Sequence, residues 1–171
     1  MVKKFKLVII DSKYCDYLRE FDDRVPYNFS KKENRPFVGI LFEIENIKYF
    51  APLSSPKEKH RMMHNMLDFL KIDDGKLGVL NFNNMILVPD CSYYLINMND
   101  PNKLNDIKYY NLLLDQLSWL NEHYIQVKNK SKRLYKLYTS RKLSKVVFDR
   151  CCDFTLLEEK CRKYNKEMIL A

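Results

Sequence analysis

The sequence is poor in glycine, with only three among its 171 residues. A dinucleotide-binding fingerprint and a Walker-type phosphate loop both depend on clustered glycines, so neither can be present. No apolar run approaches the ~20 residues that span a bilayer. The basic start of the chain leads into an apolar run too short for a signal peptide and lacks a small-residue cleavage site. These absences argue against a nucleotide-loop enzyme and against a membrane protein.

Several catalytic motifs are missing as well. The carboxylates do not cluster in a metal-nuclease pattern, and no G-x-S-x-G elbow occurs. His60 and His64 stand four residues apart, but Arg61 occupies the place where a metalloprotease motif has glutamate. The sequence therefore predicts a protein that uses neither a metal nor another cofactor.

The five cysteines are an odd number, and no secretion signal accompanies them. Cys151 and Cys152 are adjacent, which is not the C-x-x-C spacing of a zinc or redox site. We therefore expect reduced thiols in a cytoplasmic protein.

The composition is that of one globular domain covering residues 1–171. Apolar residues make up 46% of the chain, and this length can bury a single core. The formal net charge is +8, which favours a polyanionic partner such as nucleic acid.

One stretch, YFAPLSSPKEK at residues 49–59, combines features of a phosphate site. Proline lacks an N–H and has a fixed φ, so Pro52 and Pro56 bracket a stiff turn at the end of a predicted strand. The turn displays two hydroxyl groups, Ser54 and Ser55, followed by the cation of Lys57. Serine, proline and lysine are also ordinary loop residues, so a basic surface loop is an equal alternative at this point.

The neighbouring patterns predict the elements around this turn. Residues 37–44 predict one strong strand, which a tight turn at Glu45-Asn46 joins to a partner strand at 47–53. A helix is predicted over 58–70, with its methionines as core filler. The other expected elements are a strand at 4–10, a helix capped by Ser12, one or two strands at 77–88, a short strand at 93–96, a helix at 104–123 and a last helix capped by Asp153 or by a Thr155–Glu158 capping box.

Residues 129–150 are strongly basic, and Asp149 is their only acid. Tyr135 and Tyr138 are interleaved with the cations, so this stretch could neutralise phosphates while tyrosines stack on unpaired bases. The alternative is a solvated basic helix whose leucines and tyrosines face the core. The candidate RNA-binding cations are Lys132, Arg133, Lys136, Arg141 and Lys142.

These residue types suit cleavage of RNA without a metal. The 2′-OH of the RNA attacks its own phosphate, so the protein needs to align it, offset phosphoryl charge and move protons. Ser55 with Ser54, the Lys57 ammonium and the Tyr27 phenol could supply this chemistry. The polar loop at 27–36 adds Lys31, Lys32 and Arg35 as candidate RNA contacts.

Four blocks resemble the ToxN/AbiQ family of endoribonuclease toxins from type III toxin–antitoxin systems. They are SKY..YL..FDD.VP at 12–26, RPFVGI at 35–40, APLSSPK at 51–57 with His60 after it, and FTLLEEK at 154–160. The resemblance implies an α+β fold: a compact single domain with a strongly curved antiparallel sheet, similar to the MazF/CcdB toxin barrel, and surrounding helices.

The resemblance also implies a function. Such toxins cut RNA without metal, leave 2′,3′-cyclic phosphate and 5′-OH ends, and often abort phage infection. A small repeated pseudoknot RNA, which the toxin itself processes, inhibits them within a higher-order protein–RNA assembly. The substrates expected here are cellular or phage RNA.

Carried over to this chain, Ser55 matches the family's essential serine, and Ser54, Pro56 and Lys57 match its neighbours. Tyr27 is the candidate for the family's loop tyrosine. Arg35 is the candidate for its loop lysine, with Lys31 or Lys32 as competitors. Lys59 and His60 complete the predicted RNA-binding set.

Two other functions remain open on the sequence. One is a non-catalytic RNA-binding module that uses the basic stretch alone. The other is a toxin of the same fold that acts on a protein target.

Overall fold

The computed structural model describes residues 4–27, 35–101 and 106–171. Eight strands are formed: β1 (Lys6–Ile10), β2 (Phe37–Gly39), β3 (Glu43–Ile44), β4 (Ile47–Ser54), β5 (Phe69–Lys71), β6 (Val79–Asn81), β7 (Ile86–Val88) and β8 (Tyr93–Leu95). Six α-helices accompany them: α1 (Ser12–Arg19), α2 (Glu58–Met62), α3 (Ile107–Glu122), α4 (Tyr124–Thr139), α5 (Lys145–Arg150) and α6 (Phe154–Leu170). Within those ranges, every helix is too short or too polar to cross a bilayer.

The strands form one antiparallel sheet in the order β5-β6-β4-β2-β1-β8. Strand β4 also pairs with β3 and β7 near its beginning, and with β2 and β6 near its end. Four shorter strands therefore share the length of this one eight-residue strand. The predicted α+β fold with a curved antiparallel sheet is confirmed, and its described strands form an open path.

The predicted hairpin is confirmed, but its first strand is broken. Residues 37–44 form β2 and β3 rather than one continuous strand. Glu45 and Asn46 have φ of 49° and 66° and make the expected tight turn. Strand β4 then runs to Ser54, so the Ser-Ser turn lies at the end of this strand, as predicted.

The helix predicted over residues 58–70 is wrong beyond Met62. Met63 is extended, with φ −67° and ψ 140°, and Phe69 to Lys71 pair with β6 instead. Pairing with a neighbouring strand thus overrides the helical spacing of the apolar side chains. Met62 is 80% exposed, so its expected role as core filler is wrong too.

The remaining elements follow the predictions more closely. The strands at 77–88 and 93–96 and the long helix after residue 104 are present, although Ile107 at the start of that helix is exposed. The cap of α1 is Asp11, not Ser12, because the Asp11 carboxylate accepts from the Lys13 N–H at 3.0 Å.

Helix α6 joins the sheet to α4 through a buried carboxylate. Asp153 caps α6, as predicted, but Glu158 makes no capping box. Glu158 instead accepts hydrogen bonds from the Tyr49 hydroxyl of β4 at 2.8 Å and the Tyr135 hydroxyl of α4 at 2.6 Å. Three elements are therefore tied together directly behind the strand that ends in the Ser-Ser turn.

Gly78 allows the end of β4 to lie close to the turn before β6. Its φ is +104°, and a Cβ at this position would stand 2.0 Å from the Ser54 carbonyl oxygen. The carbonyl of the preceding residue, Leu77, accepts from the buried Gln116 side chain of α3 at 2.6 Å. Only glycine combines this φ with this contact.

We expect Gly78→Ala to lower the free energy of unfolding by at least about 2 kcal/mol, because both the φ and the Ser54 carbonyl disfavour a Cβ. Urea unfolding measures this change. Lys76→Ala, an exposed position in the same turn, is the control and should change stability little. Equal stability of Gly78→Ala and wild type would show that the backbone can move apart without loss.

Candidate active site

Ser54 is held in place by the sheet. It is the last residue of β4 and pairs with Val79 of β6. Its hydroxyl oxygen accepts a hydrogen bond from the Asn81 side-chain amide at 2.9 Å. Because a serine hydroxyl both donates and accepts, the Ser54 proton stays available for another acceptor.

Ser55, Pro56 and Lys57 follow as an exposed turn. Lys57 then becomes the residue before α2, with an extended backbone at φ −134° and ψ 152°. The Ser55 hydroxyl and the Lys57 ammonium are thus presented to solvent from a turn whose two ends are anchored, one by β4 and one by α2.

His60 anchors the second end. Its side chain is only 4% exposed, and its Nδ1 accepts from the Lys57 backbone N–H at 3.2 Å. Burial, followed by the nearby charges of Lys59 and Lys57, lowers the pKa of His60 below its ordinary 6.5. The neutral imidazole is the form that can accept at Nδ1. The predicted RNA contact at His60 is therefore wrong for its ring, which supports the turn from inside.

The backbone at Gly75 also lies close to the backbone of α2, at His60. Its φ is +87°, and a Cβ there would lie 2.7 Å from the His60 carbonyl oxygen. Two of the chain's three glycines therefore press against the backbone that frames the Ser54–Lys57 turn.

Arg35 lies beside the same turn. The Pro36 carbonyl accepts from Leu53 N at 2.9 Å, and Phe37 pairs with Pro52, so continuing this register places Arg35 across from Ser54. Burial lowers the pKa of Arg35, partly offset by the nearby Tyr109 phenol of α3. Within the described ranges, no carboxylate forms an ion pair with Arg35. A half-buried guanidinium in this position is suited to a phosphate.

The loop preceding Arg35 is only partly described. Tyr27 is 54% exposed, and its ring lies under the Arg19 guanidinium at 4.3 Å. Lys31 and Lys32 lie outside the described residues. Tyr27 therefore remains a prediction as a site residue.

The basic stretch forms α4, α5 and the loop between them. The side chains of its five candidate cations are all exposed: Lys132, Arg133, Lys136, Arg141 and Lys142. The two tyrosines do not join them. Tyr138 is 6% exposed and stacks on Phe148 at 4.7 Å, while the Tyr135 hydroxyl is bound to Glu158. Base stacking on Tyr138 is wrong, because the apolar face of α4 turns its ring to the core. Tyr135 is half-buried, and stacking on it stays a prediction.

Lys132 also lines a cleft of about 430 Å³ with Lys4 and Lys128. The other walls come from Tyr124 and from residues 40, 42 and 43, near the opposite end of the β-hairpin from the Ser-Ser turn. Lys128 and Lys132 of α4 therefore line a cleft that does not include the Ser-Ser turn.

Two residues near the turn were missed by sequence reasoning. Asn81 binds the Ser54 hydroxyl, and Tyr109 lies beside Arg35. Asn81 stands in a polar segment, NFNN, that interrupts apolar strands, and this interruption is the one signal that could have marked it. Nothing local distinguishes Tyr109 from the other tyrosines.

We expect the protein to lose stability as the pH falls below about 6.5, because folded His60 binds a proton less readily than unfolded His60. The contribution is fully present above the unfolded pKa and is lost towards the lower folded pKa. His60→Asn offers an uncharged acceptor instead, so its free energy of unfolding should vary less between about pH 7.5 and about pH 5.5.

His64→Asn is the control for this pH series. His64 is exposed, so this variant should keep the wild-type pH dependence. A wild-type dependence in His60→Asn would assign the effect to another group.

Comparison with known proteins gives one consistent family. The family model for the toxin ToxN of type III toxin–antitoxin systems matches residues 6–162. The chain is 37% identical over 168 residues to the endoribonuclease ToxN of Bacillus thuringiensis subsp. kurstaki, covering 94% of this chain and 84% of that protein. It is 28% identical over 169 residues to the endoribonuclease AbiQ of Lactococcus lactis subsp. lactis, covering 92% of this chain and 88% of that protein.

Solved structures agree with this result. A structure from work on selective toxin inhibition by a non-coding RNA pseudoknot in bacterial type III systems superposes with a TM-score of 0.82 at 36% identity, over 95% of this chain and 99% of that chain. Another, from work on a processed non-coding RNA that regulates a bacterial antiviral system, gives 0.78 at 32% identity, over 92% and 97%. The resemblance seen in the sequence motifs is confirmed: the chain belongs to the ToxN toxin family of type III toxin–antitoxin systems.

Proposed function

We propose that this endoribonuclease of the ToxN family cleaves RNA by attack of a 2′-OH on the adjacent phosphate at the Ser54–Lys57 turn. The products would carry 2′,3′-cyclic phosphate and 5′-OH ends. The observation that carries the proposal is the turn itself, which presents two hydroxyl groups and an ammonium from a backbone anchored on both sides. An anchored turn supports catalysis because its groups need little reordering when the transition state forms.

Each residue of the turn has a distinct role. The exposed Ser55 hydroxyl orients the attacking 2′-OH or the scissile phosphate. The Ser54 hydroxyl, whose oxygen is occupied by Asn81, donates its proton to a phosphoryl oxygen. The Lys57 ammonium offsets the extra negative charge that develops at phosphorus. Because the RNA supplies the nucleophile, Ser55 forms no covalent intermediate.

Neighbouring residues complete the proposed site. Arg35 binds a phosphoryl oxygen from across the β2–β4 ladder, where its guanidinium has no described carboxylate partner. Tyr27 contributes a phenol from the loop before it. Lys59, exposed on α2, contacts a neighbouring phosphate. His60 acts indirectly, by positioning Lys57.

The partner in this proposal is an inhibitory antitoxin RNA. The family membership and the RNA-regulated structural relatives support a small repeated RNA that folds as a pseudoknot. The toxin would process its precursor and remain bound to the product in a higher-order protein–RNA assembly. Cellular and phage RNA are the other substrates, and phage defence by abortive infection is the biological role.

We expect Ser55→Ala to fold normally and to bind RNA, but to cleave it at least about a hundredfold more slowly, because an orienting hydroxyl is lost from the transition state. Cleavage of total RNA in EDTA, with the cyclic phosphate ends identified, measures this. Ser118→Ala, an exposed serine of α3, is the control and should cleave normally. Wild-type cleavage by Ser55→Ala would remove Ser55 from the mechanism.

EDTA also separates the rival functions. Binding of RNA without cleavage by the wild type would contradict the catalytic proposal and favour a binding module. Cleavage only after Mg²⁺ is added would contradict the proposed mechanism.

We expect Lys132→Ala and Lys136→Ala, combined, to weaken RNA binding at low salt. Each lost phosphate contact should reduce the slope of log K against log salt concentration by about 0.7 for single-stranded RNA. Fluorescence titrations over a salt series measure the slope. Lys166→Ala on α6, also exposed, is the control. An unchanged slope in the double variant would place the RNA elsewhere.

A further inference from the structure

Three exposed methionines follow the proposed catalytic turn in the chain. Met62 is 80% exposed, Met63 37% and Met66 39%. Helix α2 joins the turn to these methionines and has only five residues, so it is about 7.5 Å long. The methionine surface, defined as Met62, Met63 and Met66, therefore begins about one length of α2, ~7.5 Å, from Lys57.

Cations border the methionine surface. Arg61 is exposed between Lys57 and the methionines, and its carbonyl accepts from the Lys71 ammonium at 3.1 Å. On the other side, Nη2 of Arg150 lies 3.5 Å from the Met66 sulfur. The exposed methionine side chains thus have cationic side chains on both sides.

The acidic residues near this surface do not neutralise the positive charge of these cations. Asp68 is 2% exposed, and both of its carboxylate oxygens are held by Arg150 at 3.0 Å. Glu58 is the exposed acid of α2, against Lys59 and Arg61 on the same helix. The turn packed against α2 adds Asp73, which pairs with Lys76 at 3.5 Å, and the exposed Asp74, which faces the further cations Lys71 and Arg150 of this region. The outward-facing charge around the methionines is therefore mainly positive.

Unpaired RNA has the complementary chemistry. Each nucleotide combines an apolar base face, which can lie against an apolar side chain, with an anionic phosphate. An acidic partner protein could also pair with the cations. The closeness of the methionines to the proposed catalytic turn, however, favours the RNA that is cleaved there. Methionine is flexible and polarisable, so it can fit bases of different shape.

We propose that Met62, Met63 and Met66 bind the bases of the substrate nucleotides next to the scissile phosphate, and that Arg61 binds the phosphate between them. This inference rests on the proposed endoribonuclease site, which it extends to the neighbouring nucleotides. The methionine surface contributes affinity for single-stranded RNA and favours well-stacking bases, without reading base edges by hydrogen bonds.

Oxidation footprinting tests the contact directly. Ser55→Ala, which should bind without cleaving, is treated with hydrogen peroxide and each methionine sulfoxide is quantified by mass spectrometry. We expect a mixed-sequence single-stranded RNA of about 16 nucleotides to protect Met62, Met63 and Met66. Met168 of α6, which is 49% exposed, is the internal control and should oxidise equally with and without RNA.

Heparin separates base contact from charge alone. It is a polyanion without bases, so it should occupy the cations and leave Met62 oxidisable. Equal protection by heparin and RNA would overturn base binding. Protection that rises with protein concentration in the absence of RNA would assign the surface to a second copy of the chain and overturn the proposal as well.

Substitutions give a functional measure. We expect Met62→Ser to raise the KM for a long single-stranded RNA by about fivefold to tenfold, with kcat and thermal stability nearly unchanged, while Met62→Leu stays close to wild type. Met168→Ser is the matched control. A wild-type KM for Met62→Ser, or an equal loss in Met62→Leu, would contradict the proposal.

The two proposals fail differently. If wild-type protein cleaves in EDTA and Met62→Ser is indistinguishable from it, only the methionine surface is excluded. If the wild type neither cleaves nor binds RNA, the proposed function and this inference fall together.

Discussion

The hydrogen bonding of β4 is the constraint on which the rest of the structure depends. This strand carries Tyr49, Phe50 and Ala51 into the core, and its buried backbone groups must all find partners. It finds them in β2, β3, β6 and β7, and this pairing brings segments that are distant in the chain to the end of β4. The proposed catalytic turn begins where this pairing stops.

Buried polar side chains behind β4 hold the helices against this strand through hydrogen bonds. Burial, followed by the charge of Glu158, raises the pKa of Tyr49, and burial with the Glu158 hydrogen bond raises the pKa of Tyr135. Both phenols therefore stay protonated and donate to the Glu158 carboxylate. This arrangement satisfies a nearly buried carboxylate and locks α4 and α6 against β4. It also directs the Tyr135 hydroxyl of the basic helix towards the sheet.

The groups left facing outward divide into two regions with different contributions. The turn, Arg35 and the methionine surface lie around the end of β4. In the proposed function, the alignment of their side chains with the RNA is what permits cleavage. Lys128 and Lys132 of α4 line a separate cleft, and the role that we propose for the cations of α4 and of the loop after it is affinity for any phosphate backbone through charge. A toxin that cuts RNA and is held by RNA needs both, because affinity alone does not align a 2′-OH with its phosphate.

The sequence by itself determined the features that depend on neighbouring residues. The Glu45-Asn46 turn, the Asp153 cap and the stiff Ser-Ser-Pro-Lys turn are local, because a few adjacent backbone angles and side chains fix them. Only the tertiary structure decided which surfaces face outward. Met62 is exposed at the end of α2, residues 69–71 join β6 instead of extending that helix, and Arg35 lies beside Tyr109 through pairing and packing of distant segments. Such contacts join residues far apart in the chain, and neither periodicity nor residue type specifies them.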